Sequence, residues 1–189
     1  MLFRSSLCIA IFIGHVYQPV TPIPASVDIC HAVSVTSPLS SLPVASPWGT
    51  WIVEGDHDGL TAIHLPRTRQ RPRGTPSPLV RAATRQLEQY FAGRRKFFEL
   101  DLHINGTEFQ TRVWTALAGV PYGTTVTYRD MAEAVGHPRA FRAVGTANAN
   151  NPFPIVLPCH RVVAQGGLGG YAGGLTVKRG LLALEGLSL

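Results

Sequence analysis

Cys159 and His160 stand side by side in PIVLPCHRVVAQGGLGGYAGG, residues 154–174, behind an apolar run and ahead of a glycine-rich loop. A thiol attacks as its thiolate, and an unperturbed pKa of about 8.5 leaves only a small fraction ionised at neutral pH. Lowering that value by ~2 units takes about 2.7 kcal/mol of preferential stabilisation of the anion, which a nearby imidazole can supply. The pair therefore offers a nucleophile and its base. Two unreactive readings stand beside it: a buried cysteine packs as a small hydrophobe, and a core histidine is simply hydrogen-bonded. In a cysteine hydrolase the base comes from a distant part of the chain, a role that would fall to His103 or His137.

The β-branched, apolar character of PIVLPCHRVV predicts a buried strand interrupted by Pro158, with Cys159 at a bend that exposes the sulfur. Neighbours on a strand point to opposite faces, so His160 is expected to reach the sulfur through one water rather than directly. The stretch GGLGGYAGG lacks the Lys-Ser/Thr of a phosphate loop and the spacing of a dinucleotide fingerprint. Its glycines are read as letting backbone approach a flat ligand, or as giving a mobile loop.

The chain that must position this pair has 189 residues, 45% of them hydrophobic and 15% charged, which is globular composition with enough apolar surface for one core or two small ones. Seventeen basic residues against eleven acidic give a net charge of +6, favouring a polyanionic partner or a solubilising surface. Cys8, Cys30 and Cys159 form an odd set with no CxxC pair, so neither a metal site nor a disulfide framework is expected and a reducing, cytoplasmic location fits. Arg4 with LCIAIFIG resembles a short signal-peptide core, too short to span a bilayer; the competing reading takes residues 1–44, which end in TSPLSSLPVASP, as a poorly ordered extension. A secreted protein with a Cys8–Cys30 disulfide would require cleavage of that segment.

From Trp48 the pattern tightens. WGTWIVEGDHDGLTAIHL reads as two strands around an Asp58-Gly59 turn with positive φ angles. PRTRQRPRGTPSP follows, a loop whose Arg67, Arg69, Arg71 and Arg73 are solvated or form a nucleic-acid arm. Ser77 as N-cap, Pro78 at the first helical position and Val80, Ala83, Leu87 and Phe91 on one face predict a helix ended by Gly93. KFFELDLHI alternates as a strand, giving an α/β unit over 45–104.

A second unit, 105–189, opens with a capping box at Thr107 and Gln110 and a helix carrying Phe109, Val113 and Leu117 to Gly119. Thr127 and Asp130 start another, with Met131, Ala132 and Val135 inward; Gly136 turns the chain, and PRAFRAVGTANA begins the next. Helix, tight turn, helix is the pattern of a helix-turn-helix, although many such pairs merely pack together.

Taken together, IVLPCHRVV, FQTRVWTAL, VPYGTTVTY, RAVGTANANN and YAGGLTVKRGLLALEG resemble the 6-O-alkylguanine-DNA alkyltransferases, also called methylated-DNA-protein-cysteine methyltransferases, over about residues 45–185. The resemblance implies a small RNase H-like N-terminal α/β domain and a winged-helix-type C-terminal domain. It implies irreversible transfer of an alkyl group from 6-O-alkylguanine, and from 4-O-alkylthymine, in double-stranded DNA to the protein's own cysteine. No cofactor, metal or membrane is implied, and the expected state is a monomer. Carried over by position, Cys159 is the acceptor, His160 its base through a water, Glu185 the carboxylate that orients the histidine, and Asn151 the brace of the nearby turn. Tyr128, Val162, Tyr171 and Ala172 line the base pocket. Arg142 is the finger that fills the gap left by the flipped base, and Phe141, Arg139, Lys178 and Thr107 lie on the DNA side. Two departures stand out: Phe141 replaces a small residue facing DNA, and the segment from Cys159 to Tyr171 is one residue short. An alternative within the same resemblance is a damage-recognition protein that binds the lesion without accepting the alkyl group.

Overall fold

The Ser/Pro-rich stretch read as the end of an extension contains the first strand. In the computed structural model, which describes residues 38–66 and 68–188, β1 (Ser40–Ser46) pairs antiparallel with β2 (Gly49–Gly55), and β2 with β3 (Leu60–His64). The expectation of poor order up to residue 44 is corrected at its end: Pro43 sits on an edge strand, where a missing amide is tolerated, and Val44 is buried. The Cys8, Cys30 and Arg67 readings lie outside the described residues. Ser46 Oγ closes the β1–β2 turn by donating to Gly49 O (2.8 Å) and accepting from Trp48 N and Trp51 Nε1.

The second turn forms where expected by a different device. Asp56 Oδ1 accepts from Asp58 N and Gly59 N, an Asx turn, and Gly59 is outside the positive-φ set. A Cβ at Gly59 would lie 2.5 Å from the His103 ring, which would have to turn aside.

Helix α1 (Pro78–Phe91) starts on Ser77, whose hydroxyl accepts from Val80 N, and buries Val80, Ala83, Leu87 and Tyr90. The strand expected at KFFELDLHI reduces to one parallel bridge, Leu60 to Leu102. Leu100, Leu102 and Ile104 are buried as the alternation requires, but the free edge of β3 is shared: Leu60 pairs with Asp101 and His103, while Ile63 N donates to Pro152 O (2.8 Å). Too little edge is left for a ladder.

The remaining helices are α2 (Glu108–Ala118), α3 (Tyr128–Ala134), α4 (Phe141–Ala149) and α5 (Leu175–Leu184), with a short parallel pair β4 (Val126–Thr127) and β5 (Val162–Val163). Thr107 and Thr127 both make full capping boxes, with Gln110 and Asp130. Gly136, at φ 78°, turns the chain from α3 toward α4, and Trp114 Nε1 donates to Ala147 O (2.9 Å), tying α2 to α4. The fold is mixed α/β, with small sheets and five α-helices among the described residues. Trp48 lies on α5 at Gly180, where a Cβ would sit 2.2 Å from its indole, so only glycine admits the ring. No helix among the described residues is long and apolar enough to cross a membrane.

Candidate active site

Three prolines and an asparagine, rather than a strand, shape the approach to the cysteine. Pro152, Pro154 and Pro158 remove amide donors, and Ile155 takes a φ of 77°, so the apolar run reverses on itself with a single bridge between Pro154 and Leu157. Asn151 spans the reversal: its Nδ2 donates to Leu157 O (2.7 Å) and its Oδ1 accepts from Phe153 N (2.9 Å). The chain then enters a 3₁₀ turn over Cys159–Arg161. Both sequence expectations are corrected here. The segment before Pro158 is no regular strand, and Cys159 is 6% exposed rather than displayed at a bend. Apolar patterning reports burial, and the prolines decide conformation.

Glu185 caps the C-terminus of α5 and gathers the polar groups around His160. Its Oε1 accepts from His160 Nε2 (2.8 Å), Tyr90 Oη (2.6 Å) and Arg161 Nη2 (2.9 Å), and its Oε2 from Arg161 Nε (2.8 Å) and Gly123 N (3.1 Å). Arg161 also donates to Val120 O (2.6 Å). Burial alone would raise the Glu185 carboxyl, but His160 and Arg161 beside it hold it well below the usual carboxylate range. An ionised carboxylate only accepts, so His160 Nε2 carries the hydrogen and Nδ1, buried without a protein partner, keeps the lone pair. Burial pushes the imidazole below its ordinary value against the pull of Glu185.

Burial likewise pushes the Cys159 thiol up to about 11, partly offset by a hydrogen bond from Asn151 and by the charge of Lys178. Thiol and imidazole therefore rest neutral, and the depressed thiol pKa that the sequence invites is absent from the resting site. Because the thiolate is the reacting form, carboxamidomethylation of Cys159 should be slow at neutral pH and rise about tenfold per pH unit between about pH 7 and pH 10. A rate that levels off near pH 7, read by peptide mass, would contradict the neutral thiol.

Lys178 overturns its expected place on the DNA side. It is wholly buried, and its Nζ donates to Val162 O (2.6 Å), Leu168 O (2.5 Å) and Gly170 O (3.1 Å). A phosphate cannot reach it. Burial lowers its pKa to about 8, and its donors pin the glycine loop at Leu168 and Gly170, against the second of the two readings, a mobile loop. Tyr128, the first residue of α3, donates from Oη to Gly170 O (3.3 Å), and Gly169 has no Cβ to strike its ring. Tyr171 Oη is buried without a partner, Ala172 is exposed, and Val162 is fully buried in β5. The hydroxyls of Tyr128 and Tyr171 are both raised, by burial first and then by the nearby Cys159 sulfur.

On the outer face, Arg139, Phe141 and Arg142 are exposed at the start of α4, Phe141 at 43%, with the Arg142 guanidinium 5.7 Å from its ring. Thr107 is exposed too, and its hydroxyl caps α2. The sequence reading missed Tyr90, Gly123 and Arg161. Tyr90 continues the buried face of α1, so its burial was legible, but its partner lies 95 residues away. Arg161 follows the histidine directly and carries no local sign that it is buried.

The family model described as 6-O-methylguanine DNA methyltransferase, DNA binding domain, matches residues 108–187. The methylated-DNA-protein-cysteine methyltransferase of Methanosarcina acetivorans is 46% identical over 147 residues, covering 75% of this chain and 94% of the relative. The constitutive enzyme of that name from Bacillus subtilis is 42% identical over 153 residues, covering 76% and 93%. Among solved structures, 6-O-methylguanine methyltransferase of Mycobacterium tuberculosis aligns at a TM-score of 0.68 with 41% identity, over 78% of this chain and 92% of the other. The OGT of the same organism in complex with DNA aligns at 0.69 with 43% identity, over 76% and 90%. With relatives of this identity covered over most of their length, and with His160 and Glu185 paired directly after the cysteine, this chain belongs to the methylated-DNA-protein-cysteine methyltransferase family.

Proposed function

We infer that the chain repairs DNA by transferring a methyl or larger alkyl group from 6-O-alkylguanine in duplex DNA onto Cys159, once per molecule. The observation that carries this reading is the buried thiol whose neighbour, His160, is locked by Nε2 to a buried carboxylate and keeps Nδ1 free to accept a proton. Arrival of the lesion sets off the chemistry. The thiol proton passes to His160 through one water, and the sulfur attacks the alkyl carbon in line. A carbon–sulfur bond forms as the carbon–oxygen bond breaks, and the guanine oxygen leaves with the electron pair. Tyr128 Oη and backbone amides near Tyr171 and Ala172 stabilise the developing anion, which takes up a proton to leave as guanine. The thioether is stable, so no step restores the thiol.

The DNA side follows from the same reading. An alkylated guanine is hidden in the duplex, and extruding it costs a few kcal/mol. The α3–turn–α4 pair, as the reading end of a winged-helix-type unit over 105–189, enters the minor groove, where little sequence is read and a lesion searcher needs none. Arg142 takes the place of the extruded base, Phe141 wedges beside it, and Arg139 and Thr107 meet the backbone. The N-terminal unit, taken from β1 to residue 104, is RNase H-like, and the protein acts as a monomer. Arg142→Ala should slow transfer from a methylated duplex about a hundredfold while leaving transfer from the free base 6-O-methylguanine unchanged. Equal losses on both, or no loss on duplex, would remove Arg142 from the extrusion step.

A further inference from the structure

Tyr90 is the contact that α1 makes with the reacting groups. Its ring is fully buried, fixed at 5.8 Å from Phe91, 5.6 Å from Phe98 and 6.3 Å from Tyr122 between ring centroids. Its hydroxyl lies 2.6 Å from Glu185 Oε1 and 3.5 Å from His160 Nε2. Of the five hydrogen bonds on the carboxylate, the other four come from Gly123, His160 and Arg161, all in the C-terminal half. The aromatic cage leaves the hydroxyl no freedom to move away, and its burial with the carboxylate alongside keeps it protonated, hence always a donor.

Oε1 is the oxygen that Tyr90 and His160 share. Without the hydroxyl, Oε1 keeps His160 Nε2 and Arg161 Nη2, while Arg161 Nε and Gly123 N still hold Oε2; the carboxylate then leans toward its guanidinium side, and its hold on the imidazole loosens. The histidine then has no fixed acceptor at Nε2, and a proton on Nδ1 becomes accessible. That tautomer cannot take the thiol proton. We propose that Tyr90 is a positioning residue of the transfer reaction: its hydroxyl, presented from α1, orients the Glu185 carboxylate so that His160 keeps its proton on Nε2 and its lone pair on Nδ1. The proposal rests on the transfer chemistry of the preceding subsection and ties the N-terminal half to that chemistry.

The test uses full-length wild type, Tyr90→Phe, His160→Gln and the double variant, each mixed with a methylated duplex and followed by intact mass under single-turnover conditions. Tyr90→Phe should lower the transfer rate constant about tenfold, the loss expected for one hydrogen bond to a charged group, with duplex affinity unchanged. In the His160→Gln background the same substitution should have no further effect, because the hydroxyl acts through the histidine. Nitrogen-15 spectra of histidine-labelled protein should show His160 as a single Nε2–H tautomer in wild type and a mixture in Tyr90→Phe. An unchanged rate in Tyr90→Phe, a tenfold loss that persists in the His160→Gln background, or an Nδ1–H tautomer in wild type would each overturn the proposal. Where Tyr90→Phe does not fold, 4-aminophenylalanine at position 90, which keeps a donor on the same ring, should retain the Nε2–H tautomer and transfer within about threefold of wild type, and a tenfold loss there would overturn the proposal. Wild type that leaves Cys159 unmodified would instead overturn the transfer reading, and the change of tautomer between wild type and Tyr90→Phe would still judge Tyr90.

Discussion

Replacing Glu185 with alanine should cost about 3–5 kcal/mol of folding stability and abolish transfer together. The carboxylate is buried and accepts from Tyr90, Gly123, His160 and Arg161. Its loss leaves the Arg161 guanidinium, 5% exposed, with Val120 O as its one hydrogen-bond acceptor among the described residues and the Tyr122 ring 5.7 Å away. An uncompensated buried cation is the larger part of the cost, and the unmet Tyr90 hydroxyl and Gly123 amide add to it. Removing both charges is the informative control: Arg161→Met with Glu185→Leu should recover part of the stability but none of the transfer, because His160 still lacks its acceptor. Urea unfolding and single-turnover transfer measure the two arms. A Glu185→Ala protein within about 1 kcal/mol of wild type would mean that the ion pair contributes little, as an exposed one would.

Lys178→Met should lower stability by about 2–4 kcal/mol and loosen the glycine loop. Methionine fills a similar volume but donates nothing, so the carbonyls of Val162 and Leu168 lose their Lys178 donor and Gly170 O keeps only the longer contact from Tyr128. The part of the loop that can turn its carbonyls to water will do so, which limits the loss and moves Gly170 away from Tyr128. Amide exchange over residues 165–172 should accelerate while α1 is unaffected, and, with the loop in the proposed base pocket, transfer should slow. Unchanged unfolding and exchange would show that the three contacts are incidental. Lys178 and Glu185 lie about two turns apart on one face of α5, so a single helix holds both the loop and the histidine.

Helices α1, α2 and α3 were legible because their signals are local, whereas α5, which has no side-chain cap, was not read as a helix. Ser77 with Pro78, and the capping boxes at Thr107 and Thr127, each satisfy helix-end amides within three residues, and the structure starts α1, α2 and α3 there. Segments whose fate depends on distant partners were read less well. KFFELDLHI has strand alternation, but only Leu102 finds an edge to pair with. PIVLPCHRVV has strand composition, but its prolines and the Ile155 turn break it. At the site, the thiol and imidazole could be named from the sequence because they are adjacent. Glu185 and Asn151 came only through resemblance, and Tyr90 and Arg161 were invisible because nothing near them in the chain signals a carboxylate. Lys178 was misread for a general reason: lysine is seldom fully buried, and only the fold supplies three carbonyls to one ammonium.

The buried thiol, neutral at rest, gives the family chemistry a specific form in this chain. On the proposed reading, deprotonation waits for the lesion, because burial holds the resting thiol above its ordinary pKa. The most direct test is intact mass and peptide mapping after incubation with a duplex carrying one 6-O-methylguanine, for wild type and Cys159→Ala. A gain of one methyl on the Cys159 peptide, capped at one per molecule and absent from the variant, is the predicted result. Wild type that binds the duplex and stays unmodified, or a methyl found on another residue, would contradict the account.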